Sequence, residues 1–303
     1  MPKKQDTSTP LQKLIAQNNE LYGKRVRPKS AKPVKPPLKL ERAYSAAMRK
    51  IINELAVQIK SEITPLLKEH KAEYTADGFT DDIRAIFQRL SAFLFGEKLF
   101  EDIAFNLVND IDESATGDVT KRVNEAIGVD YSYMINREGL SEFKSLAIEE
   151  NAKLIKNLSQ DYLERSQTII NEGIMGGQRP GAIAKQLSEQ IGVADRRAKL
   201  IARDQVSKIN SDITRRRFDS IGVTHFRWVT SKDERVSGKP SGKYPNAKIS
   251  CYDIARKKNP EGVGVYSLSE GATYAGETRL YPGRAHIGCR CTSSPVFDYE
   301  LEK

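Results

Sequence analysis

The hydrophobic period of this chain changes once, near Gly222, and that change decides what it can fold into. From Glu41 to Gly222 apolar residues recur every three or four positions, the spacing of helix faces; beyond it they alternate, as in strands. Ala47, Ile51, Leu55 and Ile59 stand four apart, and Pro65 is expected to kink or end their helix. A second run, Ile83, Ile86, Phe87, Leu90, Phe93 and Leu94, continues toward Leu107 past Gly96. A third covers about 140–170 through Leu140, Phe143, Ala147, Leu154, Leu158 and Tyr162. It stops at Gly173, with Gly176, Gly177, Pro180 and Gly181 following as breakers. Helices this long with polar outer faces predict an extended bundle or arm, and nothing in 41–175 carries chemistry beyond packing.

Past the glycines the pattern predicts a short helix from Pro180 to Ile191 and a longer one from Ala194 to Ser220. Ala202, Val206, Ile209 and Ile213 line one side of the second. Eight basic residues share its length, Arg196, Arg197, Lys199, Arg203, Lys208, Arg215, Arg216 and Arg217. Two helices joined at Gly192 match a DNA-reading helix-turn-helix only loosely, because the basic residues fall on several faces rather than one. A helix presenting charge to an acidic protein partner is the better reading.

From Thr224 to Thr230 the residues alternate and are rich in β-branched and aromatic types, which predicts a strand. A charged turn follows at 231–235, then a Gly- and Pro-containing loop to Asn246, a short helix at 249–256 and a second loop at 259–271. One or two more strands are expected around Pro282 and Gly283. The fold class expected is α+β: a long, mainly helical N-terminal part and a small α+β C-terminal domain. The expected divisions are a basic arm at 1–40, a helical arm or bundle at 41–175 and the α+β domain at 176–303.

Charge is concentrated at the start. The chain carries a net +9, and residues 1–40 hold ten Lys or Arg against Asp6 and Glu20. Six of the 13 prolines lie there too. Proline removes a backbone donor and restricts the residue before it. With so few apolar side chains the arm is expected to be disordered or extended, apart from a short docking helix over Leu11, Leu14, Ile15 and Leu21. Lys3, Lys4, Lys24, Arg25, Arg27, Lys29, Lys32 and Lys35 are its candidate contacts to DNA or another polyanion. A merely solvated tail is the alternative. No uninterrupted apolar stretch of ~18 residues exists, so no conventional membrane-spanning helix and no membrane partner are expected. The opening residues lack the apolar segment of a secretory signal. Three cysteines are too few for a disulfide-stapled scaffold, and a reducing cytoplasm is the expected setting.

All three cysteines fall within 251–303. Cys289 and Cys291 stand two apart, so on a strand both sulfurs would share a face. His286 can fold back toward them, and Cys251 would complete a Cys3His set suited to structural Zn2+. A disulfide from Cys251, or three buried thiols acting as small hydrophobes, are the competing readings. Asp233, Glu234 and Arg235 read as a charged structural turn more readily than as a catalytic carboxylate set. Trp228 reads as core on the strand's inner face, and His225, three residues earlier, as lying on the other face. His70 has no partner motif.

Several of these residues occur in an ordered series. It runs from Ile201-Ala202-Arg203-Asp204-Gln205 on a helix, through Gly222-Val223 into a strand, then Trp228 to Val236 with Asp233-Glu234-Arg235 inside it. Pro282-Gly283, His286 and Cys289-Arg290-Cys291 close it. The series, over about 175–297, resembles the phage Mu F-like family of minor head proteins, also called the head morphogenesis family. The resemblance implies a non-enzymatic protein of tailed-phage capsids, few in copy and associated with the portal vertex. It implies a role in head morphogenesis and in DNA packaging, retention or delivery. Its implied partners are the portal protein, the major capsid or scaffold protein, and packaged double-stranded DNA. Its implied location is the virion head interior, reached from the host cytoplasm. In one respect the sequence departs from the family: where a His or Cys often follows the Asp-Glu-Arg run, Gly238-Lys239-Pro240-Ser241 stands here, and the next candidate is Cys251. Competing functions are a metal-dependent nuclease using His286 or His225 with Asp233, and a non-specific DNA-binding protein. P-loops, dinucleotide fingerprints and nucleophile elbows are absent from the sequence.

Overall fold

A computed structural model describes residues 10–22, 29–69, 77–94, 98–130, 132, 139–297 and 301. Six long helices come first: α1 (Pro10–Tyr22), α2 (Leu38–Glu69), α3 (Asp77–Leu94), α4 (Lys98–Ile127), α5 (Ser141–Met175) and α6 (Pro180–Ser220). The remaining elements are β1 (His225–Val229), α7 (Cys251–Ile254), β2 (Lys258–Asn259), β3 (Gly262–Val263), β4 (Val265–Ser267), β5 (Ala272–Tyr274), β6 (Glu277–Leu280) and β7 (Thr292–Val296). The expected α+β class is the observed one. Among the described residues no helix is long and apolar enough to cross a membrane.

Two helices differ from expectation. The turn expected at Gly192 is absent: α6 is one continuous helix. Its buried stripe, Ile183, Ala194, Ala198, Ala202, Val206, Ile209 and Ile213, keeps phase across the glycine. A helical glycine costs only ~1 kcal/mol against alanine, which that packing outweighs. Without the turn there is no helix-turn-helix. Pro65 does not end α2, which runs on to Glu69. The proline faces solvent while Ile63 and Leu67 on either side are buried, so packing holds the helix through the lost backbone bond.

Two compact units cut across the divisions 1–40, 41–175 and 176–303. One comprises Leu38–Val108 and Phe143–Arg203. Here Tyr44 donates from its hydroxyl to Asn151 Oδ1 at 3.0 Å, and Asn151 Nδ2 donates to the Ala147 carbonyl at 2.8 Å. Burial pushes the Tyr44 phenol well above its ordinary range. Ser159 and Ser166 are buried on the same α5 face, each returning its hydroxyl to a carbonyl one turn back.

The other unit comprises the described residues of Met1–Pro37, Asn109–Glu142 and Asp204–Lys303. Its centre is an antiparallel sheet in the order β4-β1-β7. In the β1–β7 pair Phe226 faces Pro295 and Trp228 faces Ser293; in the β1–β4 pair Phe226 faces Tyr266. Phe226 and Trp228 point inward, with Trp228 edge-on to Tyr266 at 6.4 Å, and His225 lies on the other face as the alternation requires. The pairing strand β4 sits where the sequence suggested only loop, too short at three residues to show a period. Val119, Val123 and Ile127 of α4 and Phe218 of α6 complete the core.

The N-terminal segment is partly built into this unit. Residues 10–22 are helical, and Leu14 and Ile15 pack against the core while Leu21 is exposed. Residues 29–37 run extended beside β7. The Lys29 N–H donates to the Ala126 carbonyl at 2.8 Å and the Val34 N–H to the Ser293 carbonyl at 3.1 Å. Ser294 Oγ donates to the Ala31 carbonyl. Ala31 and Val34 turn inward, and Lys29, Lys32 and Lys35 turn out. That three-residue spacing is the polyproline-II period, in keeping with Pro33, Pro36 and Pro37. Lys3, Lys4, Lys24, Arg25 and Arg27 lie outside the described residues, as do His70 and Gly96.

Candidate metal centre

Cys251 opens α7, whose first turn is capped by Ser250: its hydroxyl accepts the Asp253 N–H at 3.1 Å. The Cys251 N–H donates to Ser237 Oγ at 3.0 Å and the Tyr252 N–H to the Ser237 carbonyl at 3.0 Å. The loop from the charged turn and the start of α7 are thereby tied together. Gly238 makes this approach possible: its φ is +74°, and a Cβ there would fall 1.8 Å from Ser250 Oγ.

Cys289 and Cys291 sit just before β7 rather than on it, so strand alternation is not what brings them together. The reverse turns from Pro282 to Gly288 do so, with the Cys289 N–H donating to the His286 carbonyl at 3.1 Å. The three thiols are buried, free, and within 4.8 Å of one another. Cys251 Sγ is 3.8 Å from Cys289 Sγ and 3.4 Å from His286 Nε2. Ser237 Oγ is 3.1 Å from the same Nε2, and His286 Nδ1 is 3.1 Å from the Ile287 carbonyl.

The Cys251–Cys289 and Cys251–His286 distances match two edges of a four-ligand zinc site, while the close-set group itself is the three sulfurs. With Zn–S bonds of ~2.3 Å and a Zn–N bond of ~2.0 Å, a tetrahedron has S···S edges of about 3.8 Å and S···N edges of about 3.6 Å. The Nδ1 contact to a carbonyl is also the one that ligating histidines commonly make, leaving Nε2 to face Cys251 Sγ and Ser237 Oγ. The electrostatics favour charge separation within the cluster. Hydrogen bonding to Cys251 and Cys289 pushes the His286 imidazole up to about 11. The Cys289 thiol is held well below its ordinary value, chiefly by the Cys251 hydrogen bond, while Cys291 and Cys251 are raised.

The other sequence candidates have partners of their own, the charged turn meeting the cluster's neighbour Arg290. Asp233 Oδ1 accepts the Arg235 N–H at 2.9 Å and the Ser231 hydroxyl at 3.3 Å, and Asp233 Oδ2 faces Arg290 at 3.5 Å. The Glu234 carbonyl accepts the Lys243 N–H at 2.6 Å. His225 Nδ1 pairs with Thr224 Oγ1 at 2.9 Å. His286, His225 and Asp233, the residues a nuclease would use, thus each have different partners.

Sequence reasoning missed Ser237 and the carboxylates on α6. Asp212 takes both its oxygens to the Arg284 guanidinium at 2.6 Å, and Asp204 Oδ1 accepts the Gly288 N–H at 2.9 Å. Ser211 donates to the Pro282 carbonyl, and the Arg215 guanidinium lies 4.9 Å from the Tyr281 ring centroid. The available signal was that Asp204 and Asp212 stand among the basic residues of α6, eight positions apart and so ~80° apart around it.

This unit, assembled from three stretches of the chain, is α+β and its core takes in the three cysteines. Residues 164–294, from within α5 through most of β7, match the family described as Phage Mu protein F like protein. That stretch is therefore similar to a phage protein family, the one that the ordered motifs resemble. The chain is also 25% identical over 290 residues to an uncharacterized protein of Haemophilus influenzae, covering 92% of this chain and 58% of the relative. The chain thus spans somewhat more than half the length of that relative. No solved structure matches it.

Proposed function

We propose that the chain is a minor head protein of a tailed bacteriophage, bound at the portal vertex and acting in head morphogenesis and DNA packaging, retention or delivery. The family match over 164–294 is the observation that carries this reading, because it takes in α6, β1, the charged turn and the whole Cys/His cluster. Its role is structural rather than catalytic. The portal protein and the major capsid or scaffold protein are its partners, and it resides in the virion after assembly in the host cytoplasm. Lys29, Lys32 and Lys35, with the other basic residues of 1–40, contact packaged DNA without reading sequence, since a proline-rich basic strand offers charge but no groove-reading face.

Cys251, His286, Cys289 and Cys291 hold one structural Zn2+, which clips α7 to the turns before β7. A domain built on a three-stranded sheet and short hairpins gains most from such a clip. The Cys251–Cys289 and Cys251–His286 spacings, close to two edges of a zinc tetrahedron, and the close grouping of the three sulfurs support this assignment.

Locating the chain by electron cryo-microscopy of purified heads tests the assembly role. Density at the portal vertex, lost when residues 176–303 are deleted, is the expected result. Absence of the protein from both proheads and virions would end this reading. Elemental analysis tests the zinc: about one per chain is expected, and none would leave the cysteines as core thiols.

A further inference from the structure

We infer that Asp204 and Asp212 are positioning residues for the metal centre: from α6 they hold the two ends of the turn that aims His286 at Cys251. The inference rests on the zinc reading above and adds the source of the histidine's geometry.

Asp204 and Asp212 are eight residues apart on one helix, about 12 Å along its axis. Both are buried. A buried carboxylate must be paired, and these are paired to one short segment. Asp212 forks onto Arg284 at 2.6 Å, and Asp204 accepts the Gly288 N–H at 2.9 Å. His286 is the residue midway between Arg284 and Gly288. Lys208 pairs with the second Asp204 oxygen, so that carboxylate is held from its own helix while the first faces the turn.

The same turn is pressed against the α6 backbone. Gly283 has φ +82°, and a Cβ there would stand 2.9 Å from the Ser207 carbonyl. Ser211 donates to the Pro282 carbonyl one residue earlier. The chain is thus seated at Pro282, Gly283, Arg284 and Gly288, and His286 crosses between these anchors with its Nε2 3.4 Å from Cys251 Sγ. Cys251 arrives from a separate element, α7, so α6 supplies the reference against which the two ligands meet. Remove a carboxylate and one end of the turn is released, so the imidazole that it carries loses its aim.

The test uses the full chain with Co2+ as a spectroscopic probe and Zn2+ affinity by chelator competition. Wild type should give the absorption of a tetrahedral three-sulfur, one-nitrogen site, and His286→Ala that of a site without imidazole. Asp204→Ala and Asp212→Ala should move the spectrum toward that of His286→Ala and weaken Zn2+ binding by about 10–100-fold, the usual effect of losing an outer-shell partner. Asp204→Asn keeps an oxygen for the Gly288 N–H and should restore most of both. Should Asp204→Ala fail to fold, Arg284→Ala removes a tether from the more exposed side of the turn and carries the same expectation. Val119→Ala, a core change elsewhere in the unit, should lower stability while leaving the spectrum alone. Wild-type spectra and affinity in the aspartate and Arg284 variants would overturn the inference while leaving zinc in place. A wild-type spectrum matching His286→Ala would do the same. No binding of either metal to wild type would overturn the zinc reading and this inference together.

Discussion

Replacing Arg217 by alanine tests whether the α6–α4 packing within the C-terminal unit depends on one buried cation. The Arg217 side chain is 3% exposed and that of Asp112 16%. Arg217 Nη2 donates to Asp112 Oδ1 at 2.8 Å and its Nε to Thr116 Oγ1 at 3.0 Å, while the Thr116 hydroxyl reaches the same Asp112 oxygen at 3.2 Å. Truncation strands a carboxylate in the interior, a loss of about 3–5 kcal/mol when one partner of a buried pair is removed. The lower end is expected because Asp112 keeps some water and the Thr116 hydroxyl. Unfolding in urea, followed by fluorescence of Trp228, reports on this unit because Trp228 is the sole tryptophan and lies in its core. At a slope of ~3 kcal/mol per molar, a 3 kcal/mol loss moves the midpoint by about 1 M with the slope unchanged. The double variant Arg217→Met with Asp112→Leu removes both charges and should recover most of the loss, since apolar replacement of a buried pair is often neutral or stabilising. A single variant within 1 kcal/mol of wild type, or a double variant worse than the single, would refute the reasoning.

Cys289→Ser should release the zinc and lower the melting temperature of the C-terminal unit, read by elemental analysis and calorimetry, because metal binding is coupled to folding; equal stability would make Cys289 an ordinary core thiol. Gly283→Ala forces a Cβ into a left-handed residue facing the Ser207 carbonyl, and should cost at least ~1–2 kcal/mol in the same urea assay. For DNA, residues 1–40 should give a slope of log K against log salt of about −4 to −5 if half of its ten basic residues engage duplex phosphates. Lys32→Glu with Lys35→Glu should reduce that slope by about 0.9 per lysine lost from contact, measured by salt titration, while the fold survives because both side chains are exposed. An unchanged slope would remove these lysines from the interface. Deleting the whole arm is the poorer test, since Ala31 and Val34 belong to the core.

How much of this was legible in the sequence follows from the range of the interactions involved. The helix faces showed because packing on one side imposes a period: Ile51, Leu55 and Ile59 are all buried as the spacing required. The α+β class and the inward face of β1 showed for the same local reason. The three cysteines were readable as residue types, but their geometry was not, because it depends on turns at Gly238 and Gly283 that fit only against Ser250 and Ser207, far away in sequence. The expectation that Cys289 and Cys291 share a strand face gave the right grouping by the wrong route; they precede the strand, and the turn gathers them. Residues 29–37 were read from composition as disordered or extended, yet one inward face, Ala31 and Val34, suffices to seat them beside β7. The least legible part was α6. Eight basic residues drew attention to charge offered outward, toward DNA or a partner. Arg217 instead turns inward to Asp112 and Arg215 lies over Tyr281, while the acids Asp204 and Asp212 hold the turn that carries His286. A charge count records how much of each sign a helix bears. What each charge does depends on which face meets the next element, and that is settled only once the C-terminal unit has closed around the helix.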